Sequence, residues 1–361
     1  MKRLTVCGNG GLLKYVLDKL YTDKCIEVAC VVESMEVISS DTISDGVVLA
    51  VSWHDVEKWI EQLKACNVQE IYRVPVFAMQ YGLEIVADGE FILDHVSKVA
   101  LQDSNLLYVE THVADTCNLK CKGCMHFSNI ATEANFPELE TFEKDFKRLS
   151  ELFDNIFIIR LMGGEPLLNP DLGKYISVVR KFFPAAELRV VSNGLLVPGQ
   201  LETIWQTMRE HHVAMDISPY PPTIRNLDKI LGVLNREGIP YGKVSEQLSE
   251  FRKSLMLTPI NDPVKSTKIC QSSHCHFLRN GMISKCPLPL LIDDFNNAYG
   301  CDIKSDAIYN IYEEWTGAEL REMLEGYIDM CKYCPDREAF IPWQRTNGDA
   351  RKEDWVVEET E

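Results

Sequence analysis

Short apolar runs alternate with helical patterns along the first two thirds of the chain. The runs are continuous enough to be strands buried on both faces, and apolar residues between them recur at the helical spacing. In the first hundred residues the predicted strands lie at 4–7, 26–33 and 46–52. Because strand–helix alternation is typical of a parallel sheet, we expect residues 1–103 to form a small α/β domain.

The alternation continues with longer units after this first domain. Further strands are predicted at 106–114, 155–163, 187–193, 213–219 and 239–244. This series predicts a partial (β/α)6 barrel over residues 104–262, with its chemistry at the carboxyl ends of the strands. Residues 263–345 are predicted to form a separate small domain. Within it, residues 270–303 are rich in Cys, Pro, Asn and Gly, and a helical pattern follows at 308–325. The polar, acidic segment 346–361 is predicted to be frayed or disordered.

Charge and hydropathy exclude two classes of partner. The 361 residues include 37 Lys and Arg against 54 Asp and Glu, a net charge of −17, without a basic run. A nucleic-acid partner is therefore not expected. No apolar stretch reaches the roughly 18 residues of a membrane span, and the basic N-terminus runs into glycines rather than a signal sequence. We expect a cytoplasmic protein without a membrane partner.

The compartment decides how the thirteen cysteines are interpreted. A reducing cytoplasm disfavours disulfides, and an odd number cannot form a complete disulfide framework. Four isolated cysteines are expected to be small core residues: Cys7, Cys25, Cys30 and Cys66. The remaining cysteines fall into two groups, and close spacing in a cytosolic protein indicates metal ligation.

The first group, Cys117, Cys121 and Cys124, directly follows a predicted strand. Three thiolates within this short segment can each bind one iron of a [4Fe–4S] cluster. The fourth iron then stays open for a substrate or cosubstrate. A zinc site with Asp115 or His126 as the fourth ligand is the alternative.

The C-x3-C-x2-C spacing resembles the defining motif of the radical S-adenosylmethionine (radical SAM) superfamily. The run Met162–Pro166, at the end of the next predicted strand, resembles the Gly-Gly-Glu motif, whose backbone and carboxylate receive the methionyl amino group of SAM. The resemblance extends to Ser192–Gly194 and to Ser218, which end the following two strands. It implies these cofactor-binding residues: Gly163, Gly164, Glu165, Ser192, Asn193 and Ser218. It also implies SAM as cofactor, an electron donor such as flavodoxin or ferredoxin, and hydrogen abstraction from an unactivated C–H bond by a 5′-deoxyadenosyl radical.

The second group supplies four thiolates from two places. Cys270, Gly281 and Cys286 flank or lie in a predicted hairpin at 277–284 with Asn-Gly at its tip, and a C-x-x-C pair follows at 331–334. This pattern resembles the twitch domain, the shortened relative of the SPASM domain of many radical SAM enzymes. The resemblance implies one auxiliary [4Fe–4S] cluster on Cys270, Cys286, Cys331 and Cys334. A structural four-cysteine zinc site is the alternative.

Cys275 and Cys301 lie outside both ligand sets and are either inert or thiols that face the substrate. Cys275 stands between His274 and His276, whose imidazoles could lower its pKa. At the N-terminus, the turn Gly8–Gly11 between a strand and a helix has the geometry of a phosphate-binding loop. It resembles the Rossmann-like domain of sugar O-acyltransferases that bind nucleotide-linked sugars; the alternative is a glycine turn in a docking domain.

These resemblances imply a radical SAM dehydrogenase that acts on a sugar, an aminocyclitol or a nucleotide sugar and passes an electron to its auxiliary cluster. An epimerase with Cys275 or Cys301 as hydrogen-atom donor is the second hypothesis. A peptide-modifying enzyme is the third, although its usual winged-helix leader-binding domain differs from the α/β pattern here. A zinc-stabilised scaffold is the hypothesis without catalysis. The candidate substrate contacts are Arg160, Tyr220, Arg225, Tyr241 and Arg279.

Overall fold

The computed structural model describes residues 2–22, 26–44, 46–52, 55–68, 70–74, 79, 97–99, 105–131, 135–244 and 246–358. Cys25, predicted as a core residue, lies outside them. Cys7 is completely buried, which confirms its predicted packing role, and Cys30 and Cys66 are half-buried against the same core. Within the described part of the chain, no helix is long and apolar enough to cross a membrane.

The N-terminal unit is a five-stranded sheet with a helix and a hydrophobic core on each face. Its strands are β1 (Lys2–Gly8), β2 (Ile26–Val32), β3 (Gly46–Ala50), β4 (Ile71–Arg73) and β5 (Ser97–Val99). The order is β2-β1-β3-β4-β5, and only β5 runs antiparallel. Helix α1 (Gly10–Leu20) packs on one face and α2 (Val56–Ala65) on the other. The predicted parallel α/β arrangement is confirmed.

The second sheet has seven strands, and its parallel half contains the motifs identified in the sequence. Its strands are β6 (Asn105–Ala114), β7 (Asn155–Gly163), β8 (Glu187–Ser192), β9 (Ala214–Ile217), β11 (Phe277–Arg279), β12 (Met282–Ser284) and β13 (Ile308–Asn310). Strands β6 to β9 are parallel, and β11 pairs parallel with β6. A separate two-stranded sheet joins β10 (Glu250–Arg252) to β14 (Phe340–Pro342). The predicted α/β class with parallel sheets is confirmed, although the predicted strand at 239–244 is reduced to one bridge between Tyr241 and Met215.

Eight further α-helices lie in the described residues from 135 onward. They are α3 (Leu139–Leu152), α4 (Leu172–Phe182), α5 (Glu202–Glu210), α6 (Pro221–Arg225), α7 (Leu227–Glu237), α8 (Pro263–Ile269), α9 (Pro287–Tyr299) and α10 (Gly317–Glu325). The amphipathic helices between β6 and β9 bury their apolar stripes against the sheet, as Phe146, Ile176 and Trp205 illustrate. This packing leaves the carboxyl ends of the parallel strands at one edge.

Two parts of the C-terminal third differ from the prediction. The helical pattern at 308–325 divides, because its first residues pair with β12 as strand β13 and only Gly317–Glu325 is helical. Helix α9 was not predicted, although Pro287 at its first position and buried Leu291 and Phe295 are helix signals. The predicted hairpin at 277–284 is confirmed, with Asn-Gly at its turn.

The prediction that the acidic C-terminal segment is frayed or disordered was wrong for its described residues. Trp355 is completely buried, and Val356 and Val357 are also buried. The Trp355 ring packs against Phe127 and Phe295. The polar average composition of the segment concealed the short apolar run at 355–357. Burial of this run offsets the conformational entropy lost when the segment is ordered.

Candidate functional site

Cys117, Cys121 and Cys124 line one cavity beyond the end of β6. The cavity encloses about 540 Å³ of empty space, including the part open to solvent. Burial raises the pKa of Cys117 to about 11 and raises that of Cys121 and Cys124. Glu165 and Cys124 raise the pKa of Cys117 further, and Cys124 and Cys117 do the same for Cys121, whereas hydrogen bonds from His126 and Ser128 oppose the shift at Cys124. Free thiols are therefore protonated here at neutral pH, and metal ligation must displace their protons.

Gly163 and Gly164 let the end of β7 approach the cysteine loop. The Gly164 amide donates a hydrogen bond to the Ala114 carbonyl at 2.7 Å, and the Glu165 amide donates to the Thr116 carbonyl at 2.9 Å. A Cβ at Gly164 would lie 2.0 Å from the Thr116 oxygen, and Gly163 combines a φ of +129° with an equally close approach to Ala114. Only glycine fits at either position.

Glu165 is completely buried, and its carboxylate bonds within the protein. It accepts hydrogen bonds from the Leu167 amide at 3.1 Å, the Ser192 hydroxyl at 2.7 Å and the Asn193 amide at 2.9 Å. Burial raises its pKa to about 7, although these three donors act in the opposite direction. The carboxylate thus connects the ends of β7 and β8 and does not line the cavity with Gly163 and Gly164.

Asn193, Ser192 and Ser218 line the same cavity, at the ends of β8 and β9. The Asn193 amide nitrogen donates to Asn118 Oδ1 at 2.8 Å and lies 3.7 Å from Cys117 Sγ. Asn129, which no sequence pattern indicated, also lines the cavity. Both side-chain amide atoms of Asn129 are buried without a hydrogen-bond partner, which is the state of a group that a bound ligand can satisfy.

The donor set fits an iron–sulfur cluster with a ligand beside it. Three thiols, the glycine cradle and the unpartnered Asn129 amide border one space. Within the described ranges, no three His, Cys, Asp or Glu side chains converge on one metal-ion position. A [4Fe–4S] cluster does not require such convergence, because each thiolate binds a different iron.

Comparison with known families agrees with this site. Residues 111–232 match the model of the family described as the Radical SAM superfamily. The chain carries a radical SAM domain. This family implies S-adenosylmethionine and a [4Fe–4S] cluster as cofactors. The matched residues include the cysteine loop, the Gly-Gly-Glu segment and the ends of β8 and β9.

Curated relatives of the radical SAM domain include a GTP 3′,8-cyclase of Staphylococcus epidermidis, 27% identical over 236 residues that cover 62% of each chain. Another GTP 3′,8-cyclase, of Sulfurovum sp., is 33% identical over 95 residues, 25% of this chain and 28% of that protein. The chain thus spans less than two thirds of either relative. Among solved structures, BtrN in complex with AdoMet and 2-DOIA is 15% identical with a TM-score of 0.36, covering 65% of this chain and 98% of that chain.

Beyond the radical SAM domain, the structure brings together the four cysteines of the second group. Burial raises the pKa of Cys286, and Cys334, Cys270 and Cys331 each raise it further. Cys286 precedes α9, while Cys331 and Cys334 stand in a short 3-10 turn. Four thiols from separate segments therefore lie near enough to raise one another's pKa, although among the described residues no three of them converge on one metal-ion position.

Cys275 and Cys301 occupy different surroundings. Cys275 lies beside Glu110 and Arg160 and shares a hydrogen bond with Tyr108. Burial, followed by the charge of Glu110, raises the pKa of Cys275 to about 12, so the expected lowering by its flanking histidines was wrong. Cys301 packs against the C-terminal core instead, with its sulfur 3.8 Å from the Tyr299 carbonyl.

Hydroxyl and charged side chains line the sheet below the cavity of the radical SAM domain. The Tyr108 hydroxyl donates to Glu110 Oε2 at 2.6 Å, and Arg160 pairs with Asp216 at 3.0 Å. Met162, which lines the cavity, stands two residues beyond Arg160 on the same strand. Since this step is about 7 Å and keeps the same face, Arg160 lies one step below the cofactor cavity.

The charged row continues into the N-terminal unit. Arg189 pairs with Asp216 and with Glu187. Glu187 in turn binds Arg73 of β4 at 3.2 Å, and the Arg73 and Glu187 side chains are both 0% exposed. Arg73 also donates to the Phe157 carbonyl at 3.1 Å. The two sheets are therefore joined by a buried ion pair.

A second polar chain runs through His112. Its Nδ1 lies 3.0 Å from Asp115 Oδ1, and its Nε2 lies 2.9 Å from His126 Nδ1. Arg279 donates to both Asp115 oxygens, at 3.0 and 2.8 Å. Asp115 and His126, the candidate fourth zinc ligands, are thus both bonded to His112.

The five candidate substrate contacts separate in the structure. Arg160 faces the charged row, and Tyr220 lines the cavity. Arg279 is bound to Asp115, Tyr241 bonds to Asn235, and Arg225 is exposed at the end of α6. Only the first two remain candidates within the radical SAM domain.

In the glycine turn of the N-terminal unit, the packing of the backbone requires glycine at position 8. A Cβ at Gly8 would lie 2.1 Å from the Ala50 carbonyl oxygen of β3. Asn9 and Gly10 are exposed where α1 begins. Binding of a nucleotide-linked sugar at this turn stays a prediction.

Proposed function

We propose that this chain is a radical SAM enzyme that abstracts a hydrogen atom from a carbohydrate-type substrate and oxidises one of its alcohols. The observation that carries the proposal is the row of Tyr108, Glu110, Arg160 and Asp216 one strand step below the cysteine cavity. When bound, the cluster and SAM supply a 5′-deoxyadenosyl radical, and a second cluster on the four C-terminal cysteines accepts one electron.

The polarity of this row supports a polyhydroxylated substrate. Guanidinium groups donate and carboxylates accept, so the Arg160–Asp216 pair can bind both the hydrogen and the oxygen of substrate hydroxyls. The Arg160 and Asp216 side chains are 28% and 20% exposed, so a bound substrate can reach both of them. The substrate class comprises a sugar, an aminocyclitol or a nucleotide sugar. The GTP 3′,8-cyclase relatives are named for a nucleotide and not for the oxidation of a carbohydrate, so the proposal rests on the polar row and not on them.

Glu110 is the proposed proton acceptor. Oxidation of a secondary alcohol removes one hydrogen atom from carbon, one proton from oxygen and one electron. Burial raises the pKa of Glu110 to about 7, so the carboxylate can hold the released proton near neutral pH. Cys275 adjoins both Glu110 and Cys270, which supports an electron acceptor at the four-cysteine group close to this base.

Anaerobic reconstitution followed by substrate profiling tests the proposal. We expect about eight irons and eight sulfides per chain, four of each for every [4Fe–4S] cluster. Sugars, aminocyclitols and nucleotide sugars are then assayed for 5′-deoxyadenosine and for a ketone product. Colourless protein with stoichiometric zinc contradicts the cluster assignment. Loaded protein that forms no 5′-deoxyadenosine above background with any of them contradicts the substrate class alone.

Cys275 favours epimerisation as a second candidate function. Its raised pKa keeps the sulfur protonated beside Arg160 and Tyr108, as a hydrogen-atom donor requires. An epimerase predicts solvent deuterium at one product carbon and loss of turnover in Cys275→Ala, while Cys301→Ala stays active. Ketone formation that persists in Cys275→Ala, without deuterium at carbon, supports the dehydrogenase instead.

A further inference from the structure

The segment 340–357, here called the C-terminal strap, lies on the cysteine loop. It begins with β14, which β10 holds in place by antiparallel pairing. The Lys122 amide then donates to the Gln344 carbonyl at 2.9 Å, and the Thr346 amide donates to the Lys120 carbonyl at 2.8 Å. An isolated antiparallel bridge between Cys121 and Arg345 lies between these two bonds. The strap therefore pairs with the loop as a short strand.

The loop is shaped for this contact. Gly123 has a φ of +70°, and a Cβ there would lie 2.9 Å from the Asp354 carbonyl oxygen and 3.1 Å from Ile341 Cδ1. Lys122 also pairs with Asp349 at 2.8 Å. At Gly123, between Cys121 and Cys124, the strap thus leaves no room for a side chain.

Two indole groups of the strap reach the cysteines themselves. Trp343 Nε1 donates to Cys121 Sγ at 3.2 Å, and Trp355 Nε1 donates to the Cys124 carbonyl at 2.8 Å. The Trp343 ring stacks on Tyr220, with centroids 6.2 Å apart and 20° between the planes. The Trp343 indole is therefore fixed, with its N–H directed at a cluster-binding sulfur.

We propose that the strap is part of the cofactor site and that Trp343 raises the reduction potential of the cluster. The inference rests on the cluster at Cys117, Cys121 and Cys124. A hydrogen bond to a thiolate withdraws negative charge from sulfur, and this stabilises the reduced cluster, which carries one more electron. Trp343 thereby makes electron delivery to the cluster easier. The Trp355 bond ends on a backbone oxygen and holds the loop without this effect.

Trp343→Phe tests the proposal, because it keeps an aromatic ring and removes the N–H. We expect the ratio of reduced to oxidised cluster at a fixed potential to fall several-fold, where tenfold corresponds to about 59 mV for a one-electron couple. Potentiometric titration followed by electron paramagnetic resonance measures this ratio. The signal of the cluster at Cys117, Cys121 and Cys124 is identified as the one that changes when SAM is added. Trp355→Phe is the matched control within the strap. Trp315→Phe is the control outside the strap, because the Trp315 indole donates to the Asn310 carbonyl and not to the cysteine loop.

The outcomes separate this proposal from the proposed function. Wild-type protein that holds no iron overturns both, whereas loaded protein whose potential is the same in Trp343→Phe overturns the role of Trp343 alone. Equal shifts in Trp343→Phe and Trp355→Phe also overturn it, because loosening of the strap then explains the change. If Trp343→Phe does not fold, wild-type protein labelled with ¹⁵N-tryptophan decides: a ¹⁵N coupling to the reduced cluster is expected, and its absence contradicts the hydrogen bond.

Discussion

Replacement of Glu165 by alanine tests how the Gly-Gly-Glu segment works. The substitution leaves three buried donors without their acceptor: the Leu167 amide, the Ser192 hydroxyl and the Asn193 amide. Each unsatisfied buried donor costs about 1–3 kcal/mol. Removal of a buried carboxylate also relieves its desolvation, and water can occupy part of the space. We therefore expect a loss of about 3–5 kcal/mol, as when one partner of a buried charged interaction is removed.

The loss should be concentrated where β7 and β8 end. Anaerobic urea unfolding of the cluster-free chain measures the global effect, and amide hydrogen exchange measures the local one. We expect faster exchange in peptides that contain Leu167 and Asn193, and unchanged exchange in the N-terminal sheet. Glu140→Ala is the control, because the Glu140 side chain is 81% exposed and pairs with Lys144 on the same helix. Such an exposed pair contributes little to stability.

The same experiment distinguishes a positioning residue from a ligand of SAM. If Glu165 positions Asn193, the stability of the variant and its SAM affinity fall together. If Glu165→Ala unfolds at the wild-type urea concentration and keeps wild-type exchange, while SAM affinity alone falls, the carboxylate binds SAM directly. That result would refute the reasoning from its burial and its three donors.

Three further predictions follow from single contacts. Gly164→Ala should lose most of its iron after reconstitution, because its Cβ would meet the Thr116 oxygen at 2.0 Å, whereas Gly199→Ala, with open space around it, should bind iron as wild type does. Ketone formation should increase as the pH rises through about 7, because the Glu110 carboxyl must lose its proton before it can accept one; a Glu110→Gln variant with the same pH profile would contradict this. Arg73→Met should destabilise the chain by about 3–5 kcal/mol in urea unfolding, because Glu187 stays buried with one partner fewer; a change below about 0.5 kcal/mol, the range of ordinary surface substitutions, would contradict it.

The sequence predicted the parallel half of the fold because its signal is local. Continuous apolar runs at β1, β3, β6 and β7 can be buried only on both faces, which a parallel sheet provides. The cysteine spacing and the glycines at the end of β7 are similarly local, since ligand spacing and backbone clearance act within a few residues. The parallel strands were confirmed, whereas the roles of the cysteines and glycines as cofactor-binding residues stay predictions.

The sequence did not predict the directions in which the side chains of the site point. The role of Glu165 toward the methionyl group stays a prediction, and its carboxylate is oriented by Ser192 and Asn193, two donors at the end of β8 that lie 27 and 28 residues away. The sequence suggested that the histidines flanking Cys275 could lower its pKa, yet burial and then Glu110, on strand β6, raise it. Asn129 carried no pattern at all, because an unsatisfied amide is visible only when its surroundings are known.

The sequence by itself determined that this chain has parallel α/β units and a three-cysteine loop at a strand end, because hydrophobic period and ligand spacing are short-range properties. Only the tertiary structure decided that residues 340–357 cover that loop, and that Trp343 reaches Cys121 across 222 positions of the chain. An acidic composition suggested a mobile end. Long-range packing of a few aromatic side chains overrides composition, because burial of Trp355 and pairing with the loop together offset the entropy of ordering.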